Sequence, residues 1–309
     1  MKFKPFQNRN KDHLEFYIEN SISPVHQNIQ NLNAHFERRG SLYTRLGLNS
    51  NYIEKSSIIE IGPGSGHNSL YVSSCKPKKY TLIEPNKTGF EDIFNLYKKN
   101  NSIKKPKIIK KRLESLKYNK EFDITLCEAW IGSRSNELKL FSILKKITKK
   151  NGLIITTFQP SIGMYANILR RLISYKLTEN ISSLNEKTKL LSYFFESHLK
   201  SLKKMTRPID DWVQDNLINP AALTSCLPLE LLKNTMKNSK IYRTYPDLNN
   251  SSIWYKTLTG KDFLKDDDFL TQYYKNYYNF FNYKESALKV SINEAKKIDF
   301  DLYNFYKEI

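Results

Sequence analysis

Three glycines at alternate positions, Gly62, Gly64 and Gly66, follow the apolar run Ile58 to Ile61 in "SSIIEIGPGSGHNSLYV". A strand that breaks into a glycine turn and then a helix presents backbone N–H groups and the positive end of a helix dipole. Together these cradle a nucleotide-like ligand. The dinucleotide pattern GxGxxG needs its third glycine one position later, where this chain carries His67. Glu60 lies inside the strand, two residues before the first glycine. A carboxylate there suits a ligand bearing positive charge and works against a pyrophosphate. Glu84 ends the next strand candidate, "YTLIEPN". Neighbouring strand ends meet at the ligand crevice of a doubly wound sheet, so Glu84 is set to accept from both hydroxyls of a ribose.

Other chemistry-bearing residues are more scattered. Glu128 closes the fourth strand candidate, where it serves either as a site carboxylate or as a helix cap. His67 belongs to the glycine turn and is expected to pack or bond locally. His26 and His35 lie in the N-terminal segment beside Arg38 and Arg39, which form either an ordinary surface helix or an anion-binding lid. "RPIDDWVQDNLINPA" gathers Asp211, Trp212 and Asp215 between two prolines that fix the backbone. Acids around an aromatic ring suit a sugar or a small amine; a capping loop is the equally simple alternative.

These residues need elements to hold them. Residues 1–50 carry apolar side chains at helical spacing in "HLEFYIENS" and "VHQNIQNLNAHFERRGSLYTRLGL", on either side of Pro24. From about 56 to 160, strand and helix patterns alternate. The predicted strands are Ile58–Gly62, Tyr80–Glu84, Lys107–Lys111, Phe122–Cys127 and Leu153–Phe158, which imply a parallel sheet. Residues 161–227 are predicted mainly helical, and "LELLKNTMKNS" is a helix after Pro228. "KIYRTYP" and "SSIWYKTL" predict a strand pair. The tail sets Tyr273, Tyr274, Tyr277, Tyr278 and Phe281 at helical spacing, a core stripe rather than a base-stacking platform.

Composition narrows the class. The chain of 309 residues, 39% hydrophobic and 13% aromatic, has no apolar run near the ~20 residues of a membrane span. Its charged opening, "MKFKPFQNRNKDHLEFY", is unlike a signal peptide. Cys75, Cys127 and Cys226 stand far apart with no CxxC pair, which predicts a cytoplasmic protein with neither a disulfide framework nor a metal site. The net charge of +19 invites a nucleic-acid partner, but only ten of the fifty basic residues are Arg. Runs such as "KKPKIIKKR" and "KKITKK" read as solvated flanks of buried strands. Nucleic acid is therefore the alternative partner, not the favoured one.

"EIGPGSG", followed by "LIEPN", "FDITLCEAW" and "NGLIITTF", resembles the class I S-adenosylmethionine-dependent methyltransferases over roughly residues 56–160, and more weakly over 228–260. The resemblance implies a Rossmann-like, seven-stranded, mostly parallel α/β sheet, the strand pair near 240–258 completing one edge. It places an N-terminal helical lid at 1–50, the cofactor-binding core at 51–160 and a helical substrate insertion at 161–227. The end of the core sheet follows at 228–260, and a C-terminal helical tail at 261–309. The glycine turn would approach the methionine part of S-adenosylmethionine, with Glu60 organising the turn and Glu84 holding the ribose. An acid after the third strand often bonds the adenine amino group; here "KKRLESL" puts Arg112 at that position and Glu114 two residues on. Glu114 takes the role. The Asn/Asp-Pro-Pro-aromatic motif of enzymes that methylate nucleobases or glutamine amides is replaced by Cys127-Glu128-Ala129-Trp130, so those acceptors lose support.

Methyl transfer from a sulfonium needs positioning above all, but a hydroxyl acceptor must also lose a proton and an ammonium must first be neutral. Glu128, His26 and Asp211 are the candidates for that work, with His35, Arg38, Arg39, Trp212 and Asp215 as substrate contacts. The segments "SISPVHQNI", "HFERR" and "DDWVQDN" are similar to bacterial methyltransferases of surface-polysaccharide and secondary-metabolite gene clusters. That likeness implies a sugar or nucleotide-linked sugar methylated on oxygen or nitrogen. An RNA methyltransferase and a non-catalytic binding module are the rival readings.

Overall fold

Residues Ile58 to Ile61 of the first strand are all buried, so the sheet has its centre there. A computed structural model describes residues 13–128, 137–202, 205–220, 228–231, 239–248, 256, 266–281 and 290–308. Its strands are β1 (Ser57–Ile61), β2 (Lys79–Ile83), β3 (Lys107–Ile109), β4 (Phe122–Cys127) and β5 (Thr148–Thr156). Every pairing is parallel and the order is β3-β2-β1-β4-β5. A central parallel strand is covered on both faces, which explains why β1 is almost wholly apolar. Ile59 and Ile61 join one core with Ile83, Phe122, Leu144 and Ile147, while Ile58 joins a second with Leu70, Leu82, Ile93 and Ile124.

Helices follow the strands as the alternation predicts: α4 (Ser69–Ser74) after β1, α5 (Lys87–Lys99) after β2 and α6 (Glu137–Ile147) after β4. Asn86 caps α5 by accepting from the Thr88 N–H at 3.1 Å. Ahead of the sheet lie α1 (His13–Glu19), α2 (Leu32–Arg45) and α3 (Ser50–Glu54). The helix expected from about Val25 begins only at Leu32. Val25 sits at φ 69°, outside any helix, and Asn31 caps α2 through the Ala34 N–H at 3.0 Å. Residues 22–29 thus run as irregular chain.

Among the described residues the sheet has five strands, not the seven expected. "KIYRTYP" forms no strand: Tyr242 and Tyr245 are exposed, and the Tyr242 ring packs on Gly47 instead of on a neighbouring strand. "SSIWYKTL" lies outside the described residues apart from Lys256.

After β5 come α7 (Ser161–Thr178), α8 (Leu184–Lys200) and α9 (Ile209–Val213), the last continuing into one π turn, Gln214–Ile218. Leu191, Phe195, Leu199, Val213 and Leu217 give this insertion a small core of its own. The chain closes with α10 (Asp266–Lys275) and α11 (Ile292–Glu308). Tyr273, Tyr274 and Tyr277 are buried and Tyr278 partly so, as the aromatic stripe predicts, whereas Phe281 at its end is exposed. Buried Asp299 of α11 accepts from Ser161 Oγ at 2.6 Å and Tyr277 Oη at 2.8 Å, fastening the tail to the start of α7. No helix among the described residues is long and apolar enough to cross a membrane.

Candidate active site

The glycine turn lies at the C-terminal ends of β1 and β2. Gly62, Gly64 and Gly66 all have positive φ, at 66°, 58° and 79°, a conformation that costs glycine little and other residues more. Gly64 donates its N–H to Glu84 Oε2 at 3.0 Å, and Asn86 donates to Glu84 Oε1 at 2.9 Å. Glu84 is only 4% exposed. Burial pushes its carboxyl up to about 7 against the pull of those two N–H bonds. Glu60 is buried beneath the turn and accepts from Tyr80 Oη. Burial lifts it to about 7 as well; Tyr80 opposes the rise, and the Glu128 charge adds to it.

Glu128 stands just past β4. Its Oε1 accepts from Arg39 Nη2 at 2.5 Å and from Tyr43 Oη at 2.7 Å, both on α2. The guanidinium also lies 4.8 Å from the centre of the Tyr43 ring. Both donors converge on one oxygen, while the side chain stays 28% exposed. Glu128 and Arg39 therefore meet, as candidates from separate parts of the sequence. Tyr43, which completes the clamp, carried no signal beyond an apolar position in a helical pattern.

The histidines gather over the turn. His35 bonds the His67 carbonyl through Nε2 at 3.0 Å, and His67 Nδ1 bonds Ser65 Oγ at 2.7 Å, the local role expected of it. Burial, reinforced by His26, pushes His67 down to about 4. His26 lies 5.5 Å from the His67 ring and bridges two carboxylates, Asp211 at Nδ1 (3.0 Å) and Asp92 at Nε2 (3.2 Å). The Asp211 hydrogen bond raises the His26 pKa against its burial. Asp92, on α5, had no sequence signal.

The insertion's acids are paired. Arg207 bonds Asp211 through Nε and Asp215 through Nη2 at 2.8 Å, and Tyr17 of α1 donates to Asp215. Trp212 packs against the small core of the insertion. Arg38 is exposed on α2. Glu114, in the turn after β3, lines a small cavity with Leu14, Gly62, Pro85, Arg112 and Leu113. The structure thus groups Glu60, Glu84 and the glycines at one place, Glu128 with Arg39 beside them, and His26 with Asp211 above.

No protein-family model matches the chain, and no curated protein matches it in sequence. Among solved structures it is similar to PKMT2 from Rickettsia typhi, with 18% identity and a TM-score of 0.50, over 79% of this chain and 49% of that one. The same protein in complex with AdoHcy gives 18% identity and a TM-score of 0.50 over 86% and 50%. The chain has a Rossmann-like methyltransferase fold. The chain spans about half the length of PKMT2. A SAM-dependent methyltransferase from Thiobacillus denitrificans overlaps less, at 17% identity and a TM-score of 0.34 over 46% of this chain and 53% of that one, and adds nothing to the assignment.

Proposed function

We propose that this chain is an S-adenosylmethionine-dependent methyltransferase acting on oxygen or nitrogen of a small polar acceptor, most simply a sugar or nucleotide-linked sugar. One observation carries the reading. A ribose-type acid, Glu84, is bonded to the middle glycine of the turn, and a second acid, Glu60, is buried beneath that turn. A buried carboxylate without a cation stays partly protonated at neutral pH, whereas a bound sulfonium and ammonium would favour its ionised form. The residues therefore fit the cofactor: Glu84 for the ribose, Gly62, Gly64 and Gly66 for close backbone approach, Glu60 for the positive methionine end. Glu114 and Arg112, lining the small cavity next to Gly62, suit the base.

The cofactor supplies a methyl group on sulfur; the protein must orient an acceptor in line with it. Glu128 takes the acceptor side in this reading. Arg39 and Tyr43 occupy its Oε1, so Oε2 is the oxygen that holds the acceptor's O–H or N–H. Held in place by Arg39 and Tyr43, Glu128 serves in this reading to orient the acceptor. Arg38, exposed on α2, is left as the substrate contact from the helical segment; His35 is buried and bonded to the His67 carbonyl, Trp212 packs into the insertion's core, and Asp215 is held by Arg207 and Tyr17. Titration calorimetry tests the reading: S-adenosylmethionine binds and NAD gives no heat. Binding of NAD alone would sink it.

A further inference from the structure

A helix on the outside of a globular protein turns its apolar stripe to the core and its polar side to water. In its second half α7 does the reverse. Arg171, Ser174 and Thr178 are buried, whereas Tyr165, Leu169, Ile173 and Leu177, spaced four residues apart along one side, are 37–45% exposed. The buried polar groups are satisfied close by. Ser174 Oγ donates to the Arg170 carbonyl at 2.7 Å and Thr178 Oγ1 to the Ser174 carbonyl at 2.8 Å. Arg171 donates to the carbonyls of Asn216 and Asn219. Core packing thus gives no reason for the apolar residues on the outer side.

The patch continues onto α8. That helix returns beside α7 after a short loop, with Arg170 Nη2 standing 3.0 Å from His198 Nε2. It buries Leu191, Phe195 and Leu199 but exposes Leu190, Tyr193 and Phe194, the last two at 81% and 52%. Beyond α7, exposed Phe281 packs on Tyr165 with ring centres 6.2 Å apart. At about 200 Å² for a fully exposed side chain, the two helices present about 600 Å² of apolar surface, the top of the range for the largest patch on an ordinary monomer. The rim is basic. α7 contains no Asp or Glu. Glu179 pairs with Lys176 and Glu196 with Lys200, so the balance comes from Arg170, Lys187 and Lys189 against Glu186.

We infer that this face of α7 and α8 docks on an anionic lipid bilayer, with the two helices lying in the interfacial plane. Charge chooses the occupant. Leu, Ile, Phe and Tyr enter the boundary between headgroups and acyl chains, while Lys and Arg at their edge stay among anionic headgroups. A second copy of the chain would instead bring the same basic rim, and another net charge of +19, against the first. Neither helix is long and apolar enough to cross a bilayer, so the contact is with its surface. The inference is independent of the cofactor and of the acceptor.

Flotation of the full chain with vesicles of equal parts phosphatidylcholine and phosphatidylglycerol, beside vesicles of phosphatidylcholine alone, tests this. The wild type should float with the mixed vesicles and bind the neutral ones about tenfold more weakly or less. Leu169→Gln with Ile173→Gln and Phe194→Gln puts good helix formers at exposed positions and should lower binding to the mixed vesicles by about tenfold or more. Tyr193→Ser should lower it about threefold, and it carries the test if circular dichroism shows the triple variant unfolded. Lys187→Ala with Lys189→Ala should cost about fivefold for each lysine. Flotation that survives undiminished in the apolar variants means adsorption by charge alone and overturns the inference. A wild type that does not float overturns it too. So does light scattering that finds a dimeric wild type and monomeric apolar variants, which would give the face to a second copy.

Discussion

Glu60 and Glu84 are two carboxyls raised by burial from an ordinary 4.5 to about 7. The sign of the consequence is fixed by linkage. Between pH 4.5 and about 7 the unfolded chain has released these protons while the free folded protein keeps them. The free protein therefore loses stability as pH rises through that window, by up to about 3 kcal/mol for each group. A cationic ligand reverses the preference, because it favours the ionised carboxylates. Affinity for S-adenosylmethionine should accordingly rise from about pH 6 to about pH 8, with proton release visible as a buffer-dependent binding enthalpy. A flat profile with no proton release would remove Glu60 and Glu84 from the ligand's surroundings. Glu84→Ala should weaken S-adenosylmethionine binding by about 1.5–3 kcal/mol, the range for hydrogen bonds to a charged group. Unchanged affinity in a folded variant would move the ribose contact elsewhere.

At the scale of elements, the glycine turn, β1, β2 and β4 were legible because each is local: an apolar run, a break and an acid at a strand end. The insertion was legible only as helices. What orders it is Arg171 of α7, 1% exposed, which donates to the Asn216 carbonyl at 2.7 Å and to the Asn219 carbonyl. These are carbonyls at the end of the π turn, where the helical ladder leaves acceptors without partners. Arg171→Met keeps the length but strands both carbonyls in a buried place. It should lower unfolding free energy by about 3 kcal/mol in urea titrations with an unchanged slope. A loss under about 0.5 kcal/mol would mean water replaces the guanidinium. The acids Asp211 and Asp215 read in sequence as an open, polar pocket. In space Arg207, His26 and Tyr17 hold them, partners that lie up to 198 residues away.

At the scale of the whole molecule, ligand binding should appear as stability. S-adenosylhomocysteine at a hundredfold excess over its Kd should stabilise the fold by about 2.7 kcal/mol, raising Tm, while NAD leaves it unchanged. The net charge of +19 invites a second measurement, on single-stranded RNA. A general polyanion attraction should fall by about a thousandfold or more between 50 and 200 mM salt and leave cofactor affinity untouched. Retention at high salt, coupled to S-adenosylhomocysteine binding, would instead favour RNA as the acceptor.

Sequence alone determined the parallel α/β core, its strand succession and the glycine turn with Glu60 and Glu84 beside it, because each depends on apolar periodicity or on a backbone conformation that glycine permits locally. It also placed Glu128 at the mouth of the sheet, since strand ends are countable. Among the described residues the count of strands was overdrawn: "KIYRTYP" alternates like a strand, but it runs as irregular chain and its tyrosines stay exposed. Tertiary structure decided the rest. The Arg39–Tyr43–Glu128 clamp, the His26 bridge from Asp92 to Asp211 and the bonds of Pro24 and Val25 to Ser65 of the glycine turn each join groups distant in the chain. Such pairings depend on how helices come to rest on the sheet, and burial then sets the charge states. Hydropathy and spacing carry no record of either.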